Sequence, residues 1–115
     1  PQTKADLLRR WLCANGYRFL SETLVRDKEQ LYVVFRVTAG TGQELSEADA
    51  LTGILLRGDP LYGEYLSQHL TKLKRAMDGL AVSSLADKDA RIAHLTKLIE
   101  ELERRKGEWE HGNGT

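Results

Sequence analysis

The chain has 115 residues with 17 basic and 17 acidic side chains, so its formal net charge is zero. Hydrophobic residues make up 41% and charged residues 30% of it, which is typical of one small globular protein and argues against a disordered or collagen-like chain. The charge balance gives no argument for a polybasic binder of nucleic acid or membranes, and no apolar run approaches the roughly 20 residues that span a bilayer.

The chain starts at Pro1 and has no methionine or signal peptide at its start, so we expect a processed product or an excised piece of a longer chain. Its single cysteine, Cys13, excludes an intrachain disulfide and a zinc site built from several cysteines. This cysteine usage favours a reducing, cytoplasmic location.

The first predicted element is a helix over residues 3–15. Thr3 is a good N-cap with Asp6 three residues later, and Gly16 suits the left-handed conformation that ends many helices. The expected buried face is an apolar stripe of Leu7, Leu8, Trp11 and Leu12. Two arginines lie off this stripe, Arg9 and Arg10, and are expected to be solvated.

Residues 17–38 are predicted to form a β-hairpin with a polar turn at residues 27–30. The second strand, residues 31–38, is rich in β-branched and aromatic residues and is apolar on both faces, which is typical of a strand covered on both sides in a larger sheet. A two-stranded hairpin is marginal alone, and its edges favour pairing with another chain. We therefore expect the isolated chain to self-associate. Glu22, in the first strand, has no partner nearby in the sequence.

A loop and a short helix follow the hairpin. The glycines of residues 39–43 are spaced as G-x-G only, which does not complete a dinucleotide-binding loop. Residues 46–57 are predicted to form a helix, because Ser46 and Asp49 have the spacing of a capping box and Gly58 can end it. Its expected buried face consists of Ala50, Leu51, Ile54 and Leu55.

Residues 61–108 are predicted to form an antiparallel two-helix coiled-coil hairpin, because two heptad stripes flank a short interruption. The first stripe is Leu66, Leu70, Leu73, Met77 and Leu80, and the second is Ile92, Leu95, Ile99 and Leu102. The predicted fold class is therefore α+β, with a helix, a β-hairpin, a short helix and the helical hairpin in that order. The predicted domains are residues 1–42 and residues 43–115.

The chain contains little local chemistry. Its three histidines are scattered, and no spacing predicts a catalytic or metal site. Lys72, Lys74 and Arg75 cluster on the first long helix, and Arg104, Arg105 and Lys106 end the second. These clusters are consistent with contacts along a nucleic-acid backbone, and equally with the solvated exterior of a coiled coil.

An ordered set of short segments gives the sequence a family resemblance. In chain order they are Pro1-Gln2, Leu8-Arg9-Arg10-Trp11-Leu12, Asn15-Gly16-Tyr17, Glu22-Thr23-Leu24-Val25, Tyr32, Gly53 with Leu56, and Pro60 with Tyr65-Leu66. The set resembles the region after the fifth strand in the bacterial tRNA (adenine-22-N1)-methyltransferase family. Gln2 departs from the family pattern, which has asparagine at this position.

The resemblance implies the C-terminal portion of a class I methyltransferase that uses S-adenosylmethionine to methylate a tRNA adenine. It implies that residues 1–42 end a doubly wound sheet and that the helical arm helps to hold tRNA, for which we select Lys72, Lys74 and Arg75. The family's cofactor-binding and catalytic segments would precede Pro1, so the resemblance assigns no catalytic, cofactor-binding or metal-binding residue here. The alternative is a stand-alone helical interaction or dimerisation module without catalytic activity.

Overall fold

The computed structural model describes residues 4–113, which form four helices and one two-stranded antiparallel sheet. The elements are α1 (Lys4–Ala14), β1 (Tyr17–Asp27), β2 (Gln30–Ala39), α2 (Glu47–Thr52), α3 (Tyr62–Ala81) and α4 (Lys88–Asn113). Their order confirms the predicted α+β class. No helix among these residues is long and apolar enough to cross a membrane.

The chain divides into two compact units, and the boundary lies between Tyr65 and Leu66. α2 and the first turn of α3 belong to the first unit, because α2 packs against α1 and Tyr65 contacts Arg9. The division into domains at residues 42/43 stays a prediction.

The hairpin pairs β1 with β2 from Tyr17–Ala39 to Asp27–Gln30. Two residues close the turn, and the first of them, Lys28, has φ +59°. The register is irregular between Phe19 and Ser21, which is the signature of a β-bulge. The predicted hairpin and its polar turn without glycine are therefore confirmed.

The two faces of the hairpin differ in burial. The inner face carries the opposed pairs Glu22–Phe35 and Leu24–Val33, and the outer face carries Thr23–Val34 and Val25–Tyr32. Tyr32 and Val34 are 53% and 51% exposed, so the described residues leave the outer face of β2 uncovered. That a larger sheet covers both faces of β2 stays a prediction.

α1 ends as predicted, with Gly16 at φ +83°, but it buries a different side. The predicted cap Thr3 lies outside the described residues. Leu7, Leu8 and Trp11 are exposed, and the buried residues of the helix are Asp6, Arg9 and Leu12. The expectation that Arg9 is solvated is wrong, because Arg9 has a carboxylate partner inside the first unit. Arg10 stays partly exposed and donates to Asp6 over 2.9 Å.

α2 begins with the predicted capping box. The amide of Asp49 donates to the Ser46 hydroxyl over 3.1 Å, and the amide of Ser46 donates to the Asp49 carboxylate over 3.2 Å. The helix ends at Thr52, not at residue 57, because the following amides of Ile54 and Leu55 donate to the Glu22 carboxylate. Of the predicted buried face, Ala50 and Leu51 are buried, Ile54 is half-buried and Leu55 is exposed.

The second unit contains most of α3 and all of α4, joined by residues 82–87. The predicted heptad stripes lie on the less exposed sides of the two helices: Leu66, Leu70, Leu73 and Leu102 are buried, and Met77, Leu80, Ile92, Leu95 and Ile99 are half-buried. Leu98, which is not part of the predicted stripe, is also buried. An ion pair joins the two helices, between Lys74 Nζ and Glu103 Oε1 at 3.2 Å. The two predicted helices are thus present.

Candidate nucleic-acid interface

The three basic residues selected on α3 are all exposed. At about 100° per helical residue, Lys72 and Arg75 lie about 60° apart, so they are neighbours on one side of α3. Lys72 and Lys74 lie on opposite sides of the buried Leu73, each about 100° from it around the helix. The cluster therefore consists of an adjacent pair and a third cation that faces a different direction.

Lys74 is also the member of the cluster that has an acidic partner. Its Nζ lies 3.2 Å from Glu103 Oε1 on α4, and both side chains are more than half exposed. Exposed ion pairs of this kind contribute about 0–1 kcal/mol to stability, so the contact is weak. It nevertheless places a negative charge directly beside Lys74.

The second basic cluster, near the end of α4, is largely compensated by neighbouring carboxylates. Arg104 contacts both Glu101 and Glu108, at 2.6 and 2.8 Å, and Arg105 donates to Glu101 over 2.8 Å. Hydrogen bonds from Arg104 and Arg105 lower the pKa of Glu101 to about 2. This end of α4 therefore offers less uncompensated positive charge than its three basic residues imply.

A buried polar cluster centred on Arg9 lies in the first unit. The Arg9 Nε donates to Glu22 Oε1 over 2.8 Å, and its guanidinium carbon lies 5.2 Å from the centre of the Phe35 ring. Its Nη1 donates to the carbonyl oxygens of Ala50 and Leu51 over 2.8 and 3.1 Å. Arg9 is only 1% exposed, so this one side chain ties α1 to both strands and to the end of α2.

Glu22 shares its second oxygen between two backbone amides. Its Oε2 accepts from Ile54 and Leu55, both over 2.8 Å. The carboxylate also requires the glycine at position 53, because a Cβ there would lie 2.8 Å from Oε1, and the φ of Gly53 is +84°. The donors and acceptors of Arg9 and Glu22 are thus engaged with each other and with the backbone, which is typical of a structural ion pair.

Tyr65 completes this cluster from the first turn of α3. Both terminal nitrogens of Arg9 lie 3.4 Å from its hydroxyl, which donates to the Leu51 carbonyl over 3.1 Å. Burial raises the pKa of Tyr65, and the nearby Arg9 charge opposes this effect. Every buried side-chain nitrogen and oxygen among residues 4–113 has a hydrogen-bond partner.

Two further polar contacts hold the start of α3 on β1. Asp59 accepts from the amide of Leu24 over 2.9 Å. Arg26 forms a two-pronged ion pair with Glu64 in the first turn of α3. The pair raises the pKa of Arg26 and lowers that of Glu64. Because these partners are 35 and 38 residues apart, no local sequence signal points to them.

The remaining reactive side chains of residues 4–113 are the histidines and Cys13. No group of three or more potential metal ligands occurs among the residues that the structure describes. His69 is buried and His94 is exposed. Burial raises the pKa of the Cys13 thiol, which favours the unreactive protonated form. Cys13 lines a surface cavity of about 360 Å³ together with residues that include Arg10, Gln43 and Glu44.

A family model of tRNA (adenine(22)-N(1))-methyltransferases matches residues 1–104 of the chain. No curated protein is similar enough to the sequence to count as a match.

Several solved structures share the fold. The tRNA m1A22 methyltransferase TrmK of Bacillus subtilis superposes with a TM-score of 0.73 at 19% identity, over 89% of this chain and 47% of that chain. A protein of the NADB-Rossmann superfamily from Streptococcus agalactiae gives 0.68 at 23% identity, over 90% and 44%. TrmK of M. capricolum, solved with S-adenosyl-homocysteine, gives 0.64 at 15% identity, over 91% and 46%. The chain thus spans less than half the length of each of these structures.

Proposed function

The chain belongs to the tRNA (adenine(22)-N(1))-methyltransferase family, and we propose that it is the C-terminal portion of such an enzyme, with a helical arm that helps to hold tRNA. One observation carries the proposal: the family model covers residues 1–104, while the chain spans less than half of the structures it resembles. The parent enzyme would act on tRNA in the cytoplasm.

S-adenosylmethionine is the cofactor that the family implies for the parent enzyme. One relative, TrmK of M. capricolum, was solved with the cofactor product S-adenosyl-homocysteine. In doubly wound sheets such ligands bind at the carboxyl ends of parallel strands, whereas residues 4–113 contain two antiparallel strands. The described residues therefore do not fit the cofactor, and we assign none of them to its binding or to the transfer of the methyl group.

Two exposed apolar surfaces of the first unit support a larger parent. The outer face of the hairpin exposes Val25, Tyr32 and Val34, with Leu20 at the bulge, and α1 exposes Leu7, Leu8 and Trp11. Apolar surface of this extent normally marks an interface. In the parent, further strands and helices would cover both surfaces.

The isolated chain is expected to form dimers or larger assemblies, because a second copy can cover the outer face and pair with a free strand edge. Replacing Val34 with lysine should shift the chain toward monomers in sedimentation velocity experiments. The matched control is Val82→Lys in the loop between α3 and α4, where the valine is 88% exposed but far from the hairpin in sequence.

A wild-type chain that stays monomeric at high concentration and melts cooperatively would contradict this prediction. If Val82→Lys, but not Val34→Lys, disrupts the assembly, association occurs through the helical unit, as the dimerisation-module alternative requires.

The proposed arm is an antiparallel coiled coil of α3 and α4. Buried leucines on both helices support it, since Leu70 and Leu73 lie on α3 and Leu98 and Leu102 on α4. The Lys74–Glu103 ion pair between the helices gives independent support. Basic side chains on the outside of such an arm would contact phosphates and position the tRNA without reading its sequence. The target adenine would leave its stack to reach the methyltransferase site.

In the parent enzyme, replacing Lys72, Lys74 and Arg75 together with glutamine is expected to weaken tRNA binding. The slope of log affinity against log salt should flatten by about 0.7–0.9 for each phosphate that no longer has a cationic partner. The turnover rate at saturating tRNA should change little, because these side chains contact the backbone of the substrate and not the reacting base. Filter binding over a range of salt concentrations measures both affinity and slope.

The control for this experiment is Lys28→Gln in the hairpin turn, which removes an exposed positive charge from the other unit. Affinity and salt slope identical to wild type in the triple variant would mean that the three residues only solvate the coiled coil.

A further inference from the structure

We propose that Glu103 limits the affinity of the arm for the tRNA backbone by compensating Lys74, so that Lys72 and Arg75 are the residues that contact phosphate. This inference rests on the proposed function, because it concerns the same contact with tRNA. It separates Lys74, whose charge an acidic residue compensates, from Lys72 and Arg75, whose charges no ion pair compensates within the described residues.

The side chains of the cluster point in different directions from α3. Leu73 is buried, and Lys72 and Lys74 flank it about 100° away on opposite sides. Arg75 lies about 60° from Lys72 around the helix and faces away from the buried side. The two side chains can therefore contact the same phosphate group or two neighbouring phosphate groups. Of the three side chains, Lys74 is the one that contacts Glu103 on α4.

The local charge around Lys74 is also different. Lys74 and Glu103 form a pair with zero net charge, and the carboxylate lies well inside the screening length of about 8 Å at physiological salt. A phosphate that approaches Lys74 therefore also meets the repulsion of Glu103. Asp78 is exposed one turn further along α3 and lies about 40° from Lys74 and about 60° from Arg75 in helical angle, so its charge acts on both side chains.

Lys72 and Arg75 differ from Lys74 in that they form no ion pair with a described carboxylate. Within the part of the chain that the structure describes, neither has a carboxylate at ion-pair distance. Their charges are therefore available to phosphate without first breaking an internal contact. Because the Lys74–Glu103 pair is exposed and weak, removal of the Glu103 charge should free Lys74 without unfolding the arm.

The test measures tRNA binding by the parent enzyme over a range of salt concentrations. Glu103→Gln is expected to tighten binding on the order of five-fold near 0.15 M salt and to steepen the log–log slope by about 0.9, which is the effect of one additional neutralised phosphate. Lys74→Gln alone should leave both values near wild type, and it should abolish the gain in the double variant with Glu103→Gln. Lys72→Gln with Arg75→Gln should weaken binding. It should flatten the slope by about that amount if the two side chains share one phosphate, and by about twice that amount if each contacts its own.

The matched control is Glu29→Gln in the hairpin turn, which changes the net charge equally but lies far from α3 in sequence. If Glu103→Gln binds no more tightly than Glu29→Gln while the Lys72 and Arg75 double variant binds weakly, the role of Glu103 is refuted and the tRNA contact stands. The role is also refuted if Lys74→Gln weakens binding as much as Lys72→Gln. If no variant changes affinity or slope, the proposed function of the arm itself fails.

Discussion

Replacing Arg9 with methionine is expected to lower the free energy of unfolding of the chain by about 3–5 kcal/mol, the usual cost of removing one partner from a buried ion pair. The loss is large because the buried Glu22 carboxylate would no longer have the guanidinium that compensates it. The carbonyl groups of Ala50 and Leu51 would lose a donor in the same step. A methionine side chain fills part of the space but supplies none of these hydrogen bonds.

Urea unfolding followed by far-ultraviolet circular dichroism, at one fixed protein concentration, measures this loss. Arg10→Met is the matched control, because Arg10 is the next residue of α1 and its ion pair with Asp6 is partly exposed, at 43% for the arginine side chain. We expect the control to cost less than Arg9→Met, because the Arg10 side chain is partly exposed, but more than a surface pair would, because the Asp6 side chain is only 3% exposed. Arg9→Lys keeps the charge but not the forked donors, so its cost should be intermediate.

If Arg9→Met and Arg10→Met unfold at the same urea concentration, the buried cluster does not hold the first unit together. If the methionine variant is already unfolded without urea, the comparison of Arg9→Lys with the wild-type chain still measures the contribution of the forked hydrogen bonds.

Local sequence patterns were sufficient for the elements of the fold. The hairpin follows from β-branched residues on both sides of a polar turn, and the start of α2 follows from the spacing of Ser46 and Asp49. Gly16 ends α1 because its positive φ is a local property of the chain. Each of these signals depends on residues within one turn of a helix or one strand pair.

The buried side of α1 could not be predicted from its own residues. An apolar stripe shows that some surface must be covered, but it does not show that the cover lies within this chain. Leu7, Leu8 and Trp11 are exposed among residues 4–113, while Arg9 is buried because Glu22, 13 residues away, accepts its hydrogen bond. The end of α2 was misjudged for the same reason, since the Glu22 carboxylate captures the amides that follow it.

In the candidate site, too, the sequence predicted the local features but not those that depend on contacts between distant residues. The composition of α3 was sufficient to select Lys72, Lys74 and Arg75 as exposed basic residues. The compensation of Lys74 by Glu103 depends on a contact between residues 29 positions apart on two helices, and the heptad pattern does not specify which charges meet. Only the structure separates the uncompensated pair from the compensated lysine.

The isolated chain is expected to bind S-adenosylmethionine negligibly, whereas the parent enzyme should bind it with ordinary cofactor affinity. The physical reason is that the ligand requires the carboxyl ends of several parallel strands and a loop close to its ribose and methionine groups. The described residues supply an antiparallel hairpin and helices, and the sequence completes no glycine-rich dinucleotide loop. The expected difference in affinity is therefore several orders of magnitude.

Isothermal titration calorimetry of S-adenosylmethionine into the chain, and into the longer parent protein under the same conditions, measures whether the cofactor site lies outside this chain. We expect no binding heat above dilution for the chain and a saturable isotherm for the parent. Micromolar binding to the chain alone would contradict the claim that it is the C-terminal portion of a methyltransferase whose cofactor site lies elsewhere.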